Sequence, residues 1–195
     1  MKVLVTGGTG FVGAHSVAAL VSQGHQVRLL VRSPHQVARS LSPLRVADVE
    51  SVVGDVTAPQ SVEEAMAGCD AVLHAAAVYS VDPRSASRIS QTNVRATEIV
   101  LGAAVRTGLD PIVHVSSYVA LLPPQPQGAV LTPDSPVGRP GGAYCRSKAE
   151  SEQVARRYQD QDAPVVIVYP GGVIGPETRT WGTATGASPS SPKAA

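Results

Sequence analysis

The 195-residue chain has few of the features that mark several classes of protein. Its two cysteines, Cys69 and Cys145, lie far apart without metal-ligand spacing, so we expect neither a disulfide nor a bound zinc ion. No apolar run approaches the roughly 20 residues of a membrane-spanning helix. The first residues lack the apolar core and cleavage site of a signal peptide, and we therefore expect a cytoplasmic protein that binds no membrane.

Aromatic residues make up only 4% of the chain, and no acidic residue precedes Asp48. One lysine and four arginines give the first 47 residues a charge of +5, against +1 for the whole chain. A nucleic-acid-binding protein would usually interleave aromatic side chains with its basic residues. The composition therefore favours a small anionic ligand over nucleic acid.

Short β-branched runs alternate with longer alanine-rich amphipathic stretches. The predicted strands are residues 2–6, 26–31, 52–53, 71–75, 112–116 and 165–169, and the predicted helices are residues 12–23, 59–67, 85–107 and 143–161. The strands are almost continuously apolar, as in a parallel sheet that is covered on both faces. This order predicts an α/β fold of the Rossmann type, in which helices cover both faces of a doubly wound parallel sheet.

Two segments depart from this alternation. Residues 122–142 contain six prolines, too many for a regular element, and predict a long loop. Residues 177–195 are mostly Thr, Ser, Ala, Gly and Pro, and we expect a disordered low-complexity tail there. The sequence therefore predicts one folded domain over residues 1–176.

A glycine-rich turn follows the first predicted strand directly. Gly7 permits a tight turn, Gly10 lets backbone amides approach a ligand, and Gly13 lets the next helix lie close to the sheet. Phe11 and Val12 open that helix, whose positive N-terminal end faces the turn. Between a strand and an amphipathic helix, this spacing predicts that the domain binds the diphosphate of a dinucleotide; an ordinary tight turn is the alternative.

The residue that follows the second strand distinguishes two nicotinamide dinucleotides. A carboxylate there would bind the ribose 2′-hydroxyl of NAD, whereas an arginine would bind the additional phosphate of NADP. The sequence has Arg32 and no nearby carboxylate, which favours NADP(H) over NAD; a solvated Arg32 with loose specificity is the alternative. Asp55 and Val56 follow the third strand and are predicted beside the adenine, although turn capping explains Asp55 almost equally well.

A tyrosine and a lysine four residues apart lie at the start of the last predicted helix. The spacing puts Tyr144 and Lys148 on one face, about one turn from each other. A phenol ionises at about pH 10, and a nearby ammonium together with a cationic nicotinamide would lower the pKa of Tyr144 toward the range useful for proton transfer. The alternative is an ordinary helix surface, with Tyr144 half-buried and Lys148 solvated.

Polar residues at strand ends complete the candidate site. Ser116 and Ser117 end the fifth strand, where a hydroxyl can bind a substrate oxygen or cap a turn. Ala75 and Ala76 follow the fourth strand, and their small side chains let a ribose lie against the backbone. Asn93 lies within a predicted helix, where asparagine is mildly unfavourable, and is predicted to bond a buried water or a backbone carbonyl.

Two histidines lie in predicted strands. His74 is predicted beside the cofactor and not as a base, and His114 is predicted as a core histidine with satisfied hydrogen bonds. The other histidines show no cluster that would bind a metal ion.

Seven short segments occur in an order that is typical of one enzyme family. They are residues 6–13, 54–56, 74–77, 93–94, 115–117, 144–148 and 169–176. Together they resemble the extended short-chain dehydrogenase/reductase family and, in detail, its NAD-dependent epimerase/dehydratase group. The end of the second strand and residues 119–123 are similar to the dihydroflavonol reductase and 3β-hydroxysteroid dehydrogenase branches.

The resemblance implies a role for each candidate residue. Tyr144 would be the general acid/base, Lys148 would bind the nicotinamide ribose, and Ser117 would orient the substrate oxygen, with Ser116 as the fallback. Asn93 is counted with these catalytic residues. The nicotinamide side of the site would be lined by Pro170, Gly171 and Val173. Dimerisation through the last two helices is also implied.

The same resemblance implies a hydride-transferring oxidoreductase that acts on a carbonyl or secondary alcohol of a small molecule. Members of the family continue into a substrate-binding domain that this sequence lacks, so we expect cofactor binding more than turnover. An NAD-dependent sugar-nucleotide epimerase or dehydratase is the second reading. A non-catalytic dinucleotide-binding module is the third.

Overall fold

The computed structural model describes residues 1–79 and 83–175. Its centre is a parallel six-stranded sheet in the order β3-β2-β1-β4-β5-β6. The strands are β1 (Lys2–Thr6), β2 (Gln26–Val31), β3 (Glu50–Val53), β4 (Ala71–His74), β5 (Ile112–Val115) and β6 (Val165–Val168). The predicted domain end at residue 176 and the predicted tail over residues 177–195 lie outside the described residues.

Within the described residues, five α-helices connect the strands. They are α1 (Phe11–Ser22), α2 (His35–Leu41), α3 (Pro59–Met66), α4 (Ala86–Thr107) and α5 (Ala143–Gln159). The described part of the chain also has three short 3-10 helices, at Ser42–Leu44, Pro83–Ser85 and Tyr118–Leu121. Residues 122–142 contain no helix or strand, as predicted.

The central strands β1 and β4 are buried on both faces, and their alternate residues point to opposite sides of the sheet. Val3 and Val5 of β1 pack in one core cluster with Val17 of α1. Leu4, between them, packs in a second cluster that includes Val100 of α4. Helices therefore cover both faces, and the predicted doubly wound Rossmann-type fold is confirmed.

The helix α2 was missed by the sequence reasoning. It has seven residues, of which Leu41 alone is buried, so its sequence has no apolar stripe to read. Its importance is local, because the Ser40 hydroxyl donates a hydrogen bond of 2.9 Å to the carbonyl oxygen of Thr9 in the glycine-rich turn. The helix therefore supports the turn.

The strand order reverses beside β1. The chain runs outward from β1 through β2 to β3, and then returns to place β4 on the other side of β1. The carboxyl ends of β1 and β4 diverge into a crevice at such a switch point, and ligands of doubly wound sheets bind there. The glycine-rich turn after β1 lies at this crevice.

Within residues 1–79 and 83–175, no helix is both long and apolar enough to span a membrane. Over the same residues, no three His, Cys, Asp or Glu side chains lie together as candidate metal ligands.

Candidate active site

A cleft lies at the carboxyl ends of β1, β2, β3 and β4. Its lining includes seven of the predicted cofactor-binding residues together with Asn93: Gly7, Gly10, Arg32, Asp55, Val56, Ala75 and Ala76. Gln36 and Thr92, which the sequence reasoning did not select, also line it. The lining does not include eight other predicted residues: Phe11, Val12, Gly13, Ser117, Tyr144, Lys148, Pro170 and Val173.

The glycine-rich turn is packed too closely for side chains. Gly7 has a φ of +75°, and a Cβ there would lie 2.6 Å from backbone atoms of Ala75 and Ala76. A Cβ on Gly13 would overlap the carbonyl oxygen of Gly7. The backbone after β1 therefore lies directly against the backbone after β4 and the first turn of α1.

The N-terminus of α1 is left without a capping group. Its N-cap residue Gly10 has no side chain to bond the first amides, and no acidic residue lies in the first turn. The first amides of a helix lack intrahelical partners and carry the positive end of its dipole. These amides and the side-chain-free turn fit the diphosphate of a dinucleotide.

The five basic residues that precede Asp48 do not gather at the cleft. Lys2 and Arg28 form ion pairs of 2.8 and 2.7 Å with Glu50. Arg28 also donates to the carbonyl oxygens of Ala65 and Ala67. Of the five early basic residues, Arg32 alone lines the cleft, so the +5 charge does not act on one ligand as a block.

Asp55 caps a turn at the edge of the cleft. Its Oδ1 accepts hydrogen bonds of 2.8 Å from the Thr57 amide and 2.7 Å from the Thr57 hydroxyl. These two bonds, with a further contribution from the Arg32 charge, lower the pKa of Asp55 below its usual value. One carboxylate oxygen of Asp55 thus caps the turn, as the alternative reading predicted. The contact of Asp55 with the adenine stays a prediction.

His74 joins the ends of β1 and β4 to α4. Its Nδ1 lies 2.8 Å from the Thr6 hydroxyl, and its Nε2 lies 3.4 Å from the Thr97 hydroxyl. Burial, with a smaller effect of the Lys148 charge, lowers the pKa of His74 to about 3, so the ring is neutral near pH 7. The ring therefore acts as a hydrogen-bonding bridge next to the cleft.

His114 differs from its prediction. The ring is buried and stacks on His74 with centroids 5.6 Å apart. Neither ring nitrogen has a hydrogen-bond partner among the described residues, so the predicted satisfied core histidine is wrong in that respect. Burial, His74 and Lys148 together lower the pKa of His114 well below its usual value.

The buried neutral His74 makes stability depend on pH. The pKa of His74 falls from 6.5 to about 3 on folding. Its contribution to the free energy of unfolding is therefore complete above pH 6.5 and is lost as the pH falls from 6.5 toward 3. At pH 5 we expect a loss of about 2 kcal/mol in the free energy of unfolding from this group. Urea unfolding at pH 7 and at pH 5 measures this difference in the free energy of unfolding.

His74→Gln should reduce this pH dependence, whereas His35→Gln, at an exposed position, should leave it unchanged. Equal pH dependence in His74→Gln and the unchanged protein would contradict a neutral buried ring.

Asn93 connects the cleft wall to α5. Its Oδ1 accepts a bond of 2.7 Å from the Val78 amide, and its Nδ2 donates to the Val78 carbonyl oxygen at 3.0 Å. The same Nδ2 donates to the Ser147 hydroxyl at 3.0 Å. The predicted bond to a backbone carbonyl is present, and in this structure Asn93 positions the segment after β4 against the helix of Tyr144.

Lys148 is buried, with 6% of its surface exposed. Its Nζ donates a hydrogen bond of 2.9 Å to the carbonyl oxygen of Val115, at the end of β5. The alternative of a solvated lysine on a helix surface is therefore wrong. Burial, opposed by the Glu152 charge, lowers the pKa of Lys148 to about 8.

Tyr144 packs edge-to-face on Tyr79, with ring centroids 4.8 Å apart. Burial, with smaller contributions from the nearby Cys145 and Tyr79, raises the pKa of Tyr144 to about 12. The expectation that Lys148 lowers this pKa is wrong, because the pKa is raised and Lys148 is not among the groups that shift it. Tyr79 was missed by the sequence reasoning; the only available signal was its place shortly after β4 in a chain with few aromatic residues.

The two serines after β5 have different surroundings. Ser116 is buried, and its hydroxyl has no hydrogen-bond partner among the described residues. Ser117 is partly exposed and donates to the Pro170 carbonyl oxygen at 3.4 Å. Ser117 precedes the 3-10 helix Tyr118–Leu121 without capping it through its side chain. Ser117 is therefore the more accessible hydroxyl, next to the segment that contains Val173.

The sheet order, the glycine-rich turn and the Tyr–Lys helix together define a dinucleotide-binding protein of the Rossmann class. The sequence profile of the NAD-dependent epimerase/dehydratase family matches residues 3–190. The chain belongs to this family.

Named relatives include reductases and sugar-nucleotide enzymes. A Synechocystis sp. protein provisionally named dihydroflavonol 4-reductase is 37% identical over 173 residues, covering 88% of this chain and 49% of that protein. The dTDP-glucose 4,6-dehydratase of Streptomyces niveus is 34% identical over 182 residues, covering 86% and 52%. A solved short-chain dehydrogenase/reductase superfamily protein from Agrobacterium tumefaciens, with bound NAD, is 31% identical with a TM-score of 0.71, covering 87% and 48%. This chain spans about half the length of the relatives it matches.

Proposed function

We propose that this chain binds NADP(H) and carries the proton-transfer group of an oxidoreductase that acts on a carbonyl or secondary alcohol of a small molecule. The observation that supports this most is the connection of two sites: Asn93 bonds both Val78 in the cleft wall and Ser147 in the helix of Tyr144 and Lys148. A ligand in the cleft would therefore lie beside a phenol and a buried ammonium.

The cleft residues fit the parts of a nicotinamide dinucleotide. The turn at Gly7 and Gly10 and the first amides of α1 would bind the diphosphate. Asp55 and Val56 would lie beside the adenine, and the backbone at residues 75–76 would lie beside a ribose. Such a dinucleotide, when bound, donates or accepts a hydride.

The acid/base work would be done by Tyr144. In reduction its hydroxyl would donate a proton to the substrate oxygen, and in oxidation the phenolate would accept one. Because burial raises the pKa of Tyr144 to about 12, the phenolate needs added positive charge to form near neutrality. That charge would come from the cationic ring of the oxidised dinucleotide beside the phenol, and Ser117 would donate a hydrogen bond to the substrate oxygen.

Arg32 would select NADP(H) by contacting its additional phosphate. It is exposed at the end of β2 and lines the cleft, so replacing it should not disturb the core. Arg32→Ala should weaken NADPH binding by about tenfold or more while leaving NADH binding nearly unchanged. Isothermal titration with both dinucleotides measures this, with Arg39→Ala on the exposed side of α2 as the control. Equal weakening of both dinucleotides would contradict the selection of NADP(H).

A carbonyl-reduction assay tests the proposed function. Purified chain is mixed with NADPH and a panel of ketones, and loss of the reduced-nicotinamide absorbance is followed. Ketone-dependent loss supports the oxidoreductase. Binding of NADPH without turnover of any ketone would favour a non-catalytic dinucleotide-binding module, and absence of binding would contradict the proposal altogether.

A sugar-nucleotide epimerase or dehydratase is the second candidate, because the Streptomyces niveus relative carries that kind of name. Such an enzyme returns the hydride to its own substrate, so it would retain NAD and cause no net oxidation of NADPH. Analysis of the dinucleotide that copurifies with the chain distinguishes the two. The predicted dimer through α4 and α5 stays a proposal, and light scattering tests it.

A further inference from the structure

A row of polar and charged side chains continues along α5 beyond the proposed acid/base pair. Tyr144, Lys148, Glu152 and Arg156 follow one another at intervals of four residues, so they lie on one side of the helix. Glu152 is fully buried and Lys148 almost so. A buried carboxylate is costly unless charges or hydrogen bonds compensate it. The buried carboxylate of Glu152 therefore needs partners that compensate its charge.

One oxygen of Glu152 is well anchored. Its Oε1 accepts a hydrogen bond of 2.9 Å from Arg156 Nε and one of 2.5 Å from the Tyr169 hydroxyl. The Tyr169 oxygen in turn lies 3.2 Å from Arg156 Nη2. The other oxygen, Oε2, is buried and has no hydrogen-bond partner among the described residues. The carboxylate is thus fixed in place with half of its acceptor capacity unused.

The surroundings of Lys148 contain little else to balance an ammonium. Among the residues that the structure describes, its ammonium donates one hydrogen bond, to the Val115 carbonyl oxygen. His74 from β4 and His114 from β5 are near enough for the Lys148 charge to disfavour their protonation, and burial keeps both neutral near pH 7. Among the described residues, Glu152 is the charged group that favours the ammonium form, and it does so against the effect of burial.

We propose that Glu152 is a positioning residue that keeps Lys148 charged at the carboxyl end of β5. Arg156 and Tyr169 hold the carboxylate inside the protein, one helical turn from the ammonium. The consequence for catalysis rests on the function proposed above. The charge state of Lys148 does not, because it can be measured in the protein without any substrate.

The test is an NMR titration of the chain labelled with ¹³C-lysine, which contains three lysines, Lys2, Lys148 and Lys193. The Lys148 signal is assigned by its loss in Lys148→Met and should titrate with a pKa of about 8. Glu152→Gln keeps the side-chain shape and removes the charge, so it should lower this pKa by about one unit. Glu150→Gln removes an exposed carboxylate from the same helix and should leave the pKa unchanged.

A second variant should shift the pKa of Lys148 in the opposite direction. Arg156→Gln frees the Glu152 charge from its ion pair, so it should raise the pKa of Lys148. Thermal unfolding checks that each variant is folded. If folded Glu152→Gln titrates like Glu150→Gln, the inference is overturned; if Glu152→Gln does not fold, an unchanged or lowered pKa in Arg156→Gln overturns it.

Activity gives an independent readout. If the chain reduces ketones, the rate should fall as the pH rises through the Lys148 pKa, and Glu152→Gln should move that fall to lower pH. A chain with no turnover but with the expected NMR shifts would contradict the proposed function and leave the Glu152 inference standing.

Discussion

Tyr144→Phe is expected to lower the rate of carbonyl reduction by about 10³-fold while leaving NADPH binding unchanged, because it removes the proposed proton donor. The aromatic ring stays, and with it the edge-to-face contact with Tyr79. Removing one hydroxyl from a packed phenol should therefore change chemistry more than structure. Steady-state rates with the reactive ketone, together with isothermal titration of NADPH, measure the two effects separately.

The matched control is Tyr158→Phe on the same helix. It makes the same chemical change fourteen residues along α5, or about 21 Å from the site, where the Tyr158 side chain packs against Gly102 of α4. This variant should keep full activity. A Tyr144→Phe protein that reduces ketones as fast as the Tyr158→Phe protein would show that the proton comes from another group.

The two effects differ because binding and proton transfer use separate parts of the site. The lining of the cleft includes Gly7, Arg32 and Asp55 but not Tyr144. Loss of the phenol thus removes an interaction that matters only during reaction, which lowers kcat without changing ground-state affinity.

The fold could be predicted from the sequence because local and global signals agree. The apolar run of β1 is followed at once by the glycine-rich turn, and β4 and β5 are short apolar runs of the same kind. The exception was α2, where a single buried residue leaves no periodicity. Helices that support a turn through one hydrogen bond leave little trace in the sequence.

The candidate site was less predictable, because environment decides the state of a side chain. Spacing alone put Tyr144 and Lys148 on one helix face, but it could not show that Lys148 is buried against the Val115 carbonyl oxygen. Nor could spacing show that the phenol of Tyr144 is itself buried, which raises its pKa against the expected direction. The Asn93 bonds to Val78 and Ser147 likewise join residues 15 and 54 positions away.

Gly7→Ala should have the largest effect on the cleft itself. Both the φ of +75° and the 2.6 Å approach to the backbone of Ala75 and Ala76 oppose a methyl group there. No side-chain rotation can relieve contact with backbone, so the ends of β1 and β4 would have to separate. We expect a loss of about 3 kcal/mol or more in the free energy of unfolding and dinucleotide binding weakened by about a hundredfold or more.

Gly24→Ala separates the cost of the positive φ from the cost of the close backbone contact. Gly24 has a similar φ of +81°, but a Cβ there meets nothing within 4 Å. This variant should cost only the backbone strain, about 1 kcal/mol, and should bind the dinucleotide normally. Urea unfolding and isothermal titration on both variants measure the difference. Equal losses in Gly7→Ala and Gly24→Ala would mean that backbone conformation alone requires glycine after β1, whereas a larger loss at Gly7 assigns the requirement to the close approach of the two strand ends that forms the floor of the cleft.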